Sequence, residues 1–121
     1  KKNDIRRINN VKKIKENIGL NYFPKTITSS HNVYWQLIIL VPNTIDAQKY
    51  LSKKGIDSAS SSLELLSSLE KYPNKIELLN AKSIYNNGLL IPCYPELKLK
   101  DIKYISSSLK NFLKNKNIPH E

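Results

Sequence analysis

The chain has 121 residues, 40% of them hydrophobic, with Lys+Arg 20 against Asp+Glu 10 and a formal net charge of +10. That length supports one domain around a modest single core and excludes two independent cores. No apolar run approaches the roughly 20 residues needed to cross a bilayer, so no membrane contact is expected. A single cysteine excludes an intramolecular disulfide and fits a reducing, cytoplasmic compartment. The opening KKNDIRRINN leads into no continuous apolar segment, so no secretory leader is expected; a start at Lys1 without Met reads as a processed chain or a domain cut from something longer.

Ile5, Ile8, Val11, Ile14 and Ile18 recur at steps of three and four, which predicts an amphipathic helix over residues 4–18, closed by Gly19. Residues 20–32, with Pro24, read as a connector. VYWQLIILV, residues 33–41, is β-branched and aromatic and predicts a strand stopped by Pro42-Asn43. Ile38 to Val41 do not alternate with polar residues, so both faces of this strand are expected to be covered, as in a central strand. Trp35 falls within it and reads as an anchor in the sheet or at a domain interface. A helix follows, capped by Asn43 or Thr44, favoured by Asp46 at its positive end, facing inward through Ala47, Tyr50 and Leu51, and stopped by Gly55.

Ile56-Asp57 opens a short extended segment that runs into a serine-rich stretch. There Leu63, Leu65, Leu66 and Leu69 need packing partners, which argues against a flexible linker. Asn74 with Glu77 forms a capping-box pattern that predicts a helix to about Tyr85, then a turn at Asn86-Asn87-Gly88. Leu89-Leu90-Ile91 is a short buried strand halted by Pro92. Leu99, Ile102, Ile105, Leu109, Phe112 and Leu113 define a terminal helix whose N-cap, near Lys98, is a poor one. The order predicts an α+β class: a small antiparallel or mixed sheet of about three strands with helices packed on it. Residues 1–121 form a single domain, with an N-terminal helix over 4–18 and a core over 33–113.

Chemistry is sparse. Cys93, His31 and His120 are far apart and unpaired, so no metal centre is expected. Cys93 at a strand end reads as a small buried apolar residue rather than a nucleophile activated by His31. Gly19, Gly55 and Gly88 are separate punctuation and form no phosphate cradle. Ser58, Ser60, Ser61 and Ser62 follow the Gly55-Ile56-Asp57 turn; they read as a polar surface loop or as hydroxyl donors to a phosphate or sugar. The lysines of the first and last helices lie opposite apolar stripes and read as solvated faces. Tyr34 and Trp35 have no interleaved Lys or Arg, so nucleic acid is not an expected partner. The alternative is a freestanding basic module that binds nucleic acid or another polyanion. No self-sufficient active site emerges: no catalytic, cofactor or metal residue is assigned.

Four stretches in the same order give the chain a family address. IRRINNVKKIKENI, HNVYWQLIILV, AQKYLSKKGID and LLIPCYPELKLKDIKYISSSLKNFL together resemble the C-terminal small domain of the DegT/DnrJ/EryC1/StrS enzymes, over residues 4–114. These are fold-type I enzymes dependent on pyridoxal phosphate, and many aminate sugar nucleotides. The resemblance implies a C-terminal domain that packs on a large cofactor-binding domain in a homodimer, with a keto-sugar nucleotide as substrate. It also implies that the large domain holds the pyridoxal phosphate and that this chain alone is catalytically incomplete. DSASSSLELLSSL replaces the His-Tyr-Pro-type segment of many members, so Ser58, Ser60, Ser61 and Ser62 stand where a loop towards the substrate cleft is implied.

Overall fold

The computed structural model describes residues 1–26, 30–60, 64–65 and 78–115. Its elements are α1 (Lys2–Ile18), a 3-10 turn at Leu20–Tyr22, β1 (Leu37–Leu40), α2 (Thr44–Ser52), β2 (Ala59–Ser60), α3 (Leu79–Asn87), β3 (Gly88–Ile91) and α4 (Leu99–Asn115). The three strands form an antiparallel sheet in the order β1-β3-β2. The α+β class is therefore observed, with the antiparallel form of the sheet.

One face of that sheet makes the core. Leu37 pairs with Ile91 and Ile39 with Leu89 across the β1–β3 ladder, and all four are buried. They join Val11, Ile14 and Ile18 of α1, Ala47 and Leu51 of α2, and Ile102, Leu109 and Leu113 of α4 in one cluster. Period-2 strand faces and a 3.6-period helix stripe converge here because each has one apolar side to remove from water. The stripe of α1 is narrower than its sequence suggests. Ile5 is 59% and Ile8 38% exposed, because the buried positions of α1 are Asn10, Val11, Ile14 and Ile18 and the first turns run past the core.

The strand over residues 33–41 is shorter than predicted and is not central. Only Leu37–Leu40 is paired, with buried and half-buried residues alternating. Among the described residues β3 takes the central place, pairing with β1 on one side and β2 on the other. The apolar second face of β1, Ile38 and Leu40, is half-buried rather than covered. Trp35 lies outside the strand and is 80% exposed; the cause is Tyr34, whose φ of 56° breaks the extended backbone just before the ladder.

α2 starts as expected: the Asp46 N–H donates to Asn43 Oδ1 at 3.0 Å, and Gly55 past its end has φ +69. α3 runs two residues beyond the predicted end, to Asn87, and passes into β3 with no intervening turn. The Asn74–Glu77 capping box lies outside the described residues. Asn87 ties the junction to β1, its Nδ2 donating to the Val41 carbonyl at 3.0 Å while the Val41 N–H donates to the Asn87 carbonyl at 2.8 Å. α4 compensates for its lysine N-cap through Asp101, whose Oδ2 accepts from the Lys98 N–H at 3.0 Å. This is the returning half of a capping box.

α4 buries seven residues, two of them serines. Ser106 is 3% exposed and its Oγ has no hydrogen-bond partner among the described residues. A desolvated, unpaired hydroxyl is unfavourable, and alanine is also the better helix former. Ser106→Ala is therefore expected to stabilise the protein by about 1 kcal/mol, read as a higher denaturant midpoint at unchanged slope. A lower midpoint would mean that Oγ has a partner in solution.

Candidate functional site

A groove of about 370 Å³ lies between α1, the residues before β1, and the ends of β2 and β3. Arg7, Trp35, Gln36, Asp57 and Ser58 line one part of it; Leu90, Pro92 and Tyr94 line another. Three elements position these groups. Asn10 of α1, itself buried, donates from Nδ2 to the Tyr94 carbonyl at 2.9 Å and holds the helix against the segment leaving β3. About one helical turn earlier in α1, Arg7 places its guanidinium carbon 5.7 Å from the Trp35 ring centroid, a cation–π arrangement. The left-handed Tyr34 turns its own ring onto the core and its neighbour Trp35 outward.

Tyr34 is held at several points. Lys15 Nζ lies 5.0 Å from its ring centroid and 3.3 Å from its hydroxyl, and the same ammonium lies 5.4 Å from the Phe23 ring. The Tyr34 carbonyl accepts a hydrogen bond from Cys93 Sγ at 3.4 Å. Packing thus over-determines a backbone conformation that a bulky residue rarely adopts.

Cys93 sits under the groove at 4% exposure. Burial pushes its thiol above the ordinary range, against smaller opposing effects from the Arg7 charge and a backbone hydrogen bond from Leu37. Cys93 packs in the hydrophobic cluster, as the sequence reading of a small buried apolar residue has it. The sign of the pH effect follows. The folded state holds this proton more tightly than the unfolded chain, so the contribution of Cys93 is intact below the ordinary thiol pKa. It is lost as pH rises through the higher folded value. Denaturation midpoints are expected to fall on the alkaline side of that range, and Cys93→Ala is expected to flatten that part of the curve. Alkylation of Cys93 should be slow in native protein and fast after unfolding.

The sequence-assigned serines are only partly brought to this groove. Ser58 is half-buried and lines it; its carbonyl accepts from Gln48 Nε2 at 3.3 Å, tying the turn to α2. Ser60 is exposed in β2. Ser61 and Ser62 lie outside the described residues. Among the described residues no group of three or more His, Cys, Asp or Glu converges as for a metal; His31 is exposed. No described helix is long and apolar enough to cross a membrane. Arg7 and Tyr94 are groove residues that sequence reasoning passed over. The one available signal was the adjacent pair Tyr34-Trp35 placed ahead of an apolar strand.

The described lysines do not fit a pyridoxal phosphate site. All are exposed except Lys15, engaged by Tyr34 and Phe23, and Lys54, whose ammonium lies 5.2 Å from the Tyr50 ring centroid. No glycine-rich turn accompanies either. No catalytic step is therefore derived through that cofactor from these residues.

No protein-family model and no curated protein matches the chain. Solved structures do. A DegT DnrJ EryC1 StrS aminotransferase from Brucella abortus superposes with a TM-score of 0.75 at 18% identity, over 92% of this chain and 31% of that one. DesV from S. venezuelae gives 0.78 at 16% identity, over 93% and 32%. A Streptococcus pneumoniae protein described as a sugar aminotransferase, in its PMP form, gives 0.67 at 16% identity, over 93% and 31%. At such identities the likeness is one of fold. The chain spans about a third of the length of the solved chains it matches.

Proposed function

We propose that these 121 residues are the C-terminal small domain of a pyridoxal-phosphate-dependent aminotransferase-like enzyme that transfers an amino group to a keto-sugar nucleotide. The observation that carries this reading is the coverage: nearly all of this chain superposes on less than a third of each of these solved chains, one of them described as a sugar aminotransferase. In this reading the large domain holds the cofactor, which supplies an electron sink for amino transfer. The present chain walls the cleft of a cytoplasmic homodimer and is inactive alone. Ser58, Ser60, Ser61 and Ser62 are the groups offered to the substrate. Ser58 also borders an open depression beside α2 that carries Lys49 and Lys53, which suits an anionic nucleotide-sugar.

The test is made on the whole polypeptide that contains this sequence. It is expected to release pyridoxal phosphate on denaturation and to aminate a keto-sugar nucleotide at the expense of an amino-acid donor. Purified protein that neither carries nor takes up the cofactor overturns the reading; cofactor without turnover of any sugar nucleotide overturns the substrate assignment. The rival, a polyanion-binding module, draws on the outward cations Lys2, Arg6 and Lys13 of α1 and Lys103, Lys110 and Lys114 of α4. It requires tight, steeply salt-dependent binding of nucleic acid, and fluorescence anisotropy that stays flat at low salt dismisses it.

A further inference from the structure

We infer that Trp35, Arg7 and Tyr94 form the anchor by which this domain docks on the remainder of its own polypeptide. The inference rests on the reading above that the chain is part of a longer enzyme. Four observations carry it.

First, Trp35 is 80% exposed and Tyr94 52% exposed beside one groove. Tryptophan, tyrosine and arginine are the residue types enriched at energetic centres of interfaces. Second, the exposure is built in. Tyr34 accepts a φ of 56°, a conformation that costs a bulky residue of order 1 kcal/mol or more, and the result is that Trp35 leaves the strand for solvent. The hydrogen bonds of Tyr34 to Lys15 and Cys93 hold that geometry.

Third, Arg7 lies over the indole and favours one placement of it. Its guanidinium lies over the ring, and among the described residues it makes no ion pair or hydrogen bond. Pre-ordering the aromatic side chain reduces the entropy lost on docking, and the forked guanidinium donors suit a carboxylate. Fourth, the matching folds are about three times the length of this chain, which supplies an occupant of the right kind in the same polypeptide. The surface that receives Trp35 is thus an apolar pocket bordered by a carboxylate, in the part of the enzyme outside these residues.

The experiment is hydroxyl-radical footprinting of the full-length protein, native and unfolded, with bound pyridoxal phosphate measured on the same sample. Trp35 is expected to be oxidised on the order of tenfold more slowly in the native protein than in the unfolded one. Tyr104, half-exposed on α4 and away from the groove, should stay reactive. Trp35→Ala in the full-length protein should speed limited proteolysis between the two parts by a similar factor while leaving the far-ultraviolet circular dichroism intact.

Cofactor-loaded protein in which Trp35 reacts as in the unfolded chain overturns the docking inference and leaves the enzymatic reading standing. Protected Trp35 in a protein that binds no cofactor supports docking and overturns the enzymatic reading. Protection that vanishes on dilution to the monomer assigns the surface to a second copy and overturns the inference.

Discussion

Gly88→Ala is expected to destabilise the protein by about 3 kcal/mol, lowering the melting temperature by roughly 10 °C. The cause is contact rather than backbone angle: Gly88 has φ −75 and ψ 120, which any residue adopts. A Cβ there would collide with the Ile84 carbonyl oxygen and come within 3.3 Å of Ile38 Cγ2. That oxygen cannot retreat freely, because the Gly88 N–H donates to it in closing α3. Movement of either partner disturbs both the helix end and the first pair of the β1–β3 ladder, Leu40 with Gly88. Gly55 provides the control. It has φ +69, and a Cβ added there would find nothing within 4 Å. Gly55→Ala therefore carries only the left-handed backbone cost of about 1 kcal/mol. Equal losses for the two variants, by thermal or chemical denaturation, would refute the close-approach argument.

Leu109→Ala should cost about 3 kcal/mol through lost burial and the cavity left behind. Leu109 is fully buried in α4, which packs on α1 and reaches α2 through the Tyr50–Phe112 ring contact at 5.3 Å. The expected signature is a lower denaturant midpoint with an unchanged slope. The comparison with Ser106→Ala is informative because the two substitutions lie one helical turn apart on α4 and are expected to have opposite signs. A loss below about 1 kcal/mol for Leu109→Ala would mean that the α1–α4 seam closes over the cavity.

The first of these predictions turns on the crossing of α3 into β3, and the second on the helix that follows β3. That region also shows how far the sequence could be read. The residues Leu89-Leu90-Ile91 announced a buried strand, and Gly88 looked like part of a turn. In the fold Gly88 is the first strand residue, and its lack of a side chain answers an approach by Ile84, which sequence spacing does not encode. In the same way VYWQLIILV announced a strand, since β-branched residues pack well on a pleated surface. Whether that strand was central or at an edge depended on which other strands paired with it, a non-local matter.

The candidate site was less legible than the fold. Cys93 was legible as a packing residue, because a lone cysteine in an apolar run has no local group to activate it. Ser58 reached the groove, but its neighbours there, Arg7, Trp35 and Tyr94, come from three segments separated by tens of residues. Arg7 looked like one more cation on a basic helix, and Asn10 like one more polar position, until α1 was laid across the end of β3.

The sequence by itself determined the element order, the α+β class, the start of α2 at Asn43 or Thr44 and its stop at Gly55, and most of the apolar faces of α2 and α4, because these are set by side chains within a few residues of one another; the structure chose Asn43 as the cap and left Leu99 exposed. Only the tertiary structure decided the strand order β1-β3-β2, the outward placement of Trp35 through a left-handed Tyr34, the cation over its ring, and the requirement for glycine at position 88. Each of these is fixed by contacts between distant segments, where packing selects one arrangement among several that local preferences allow.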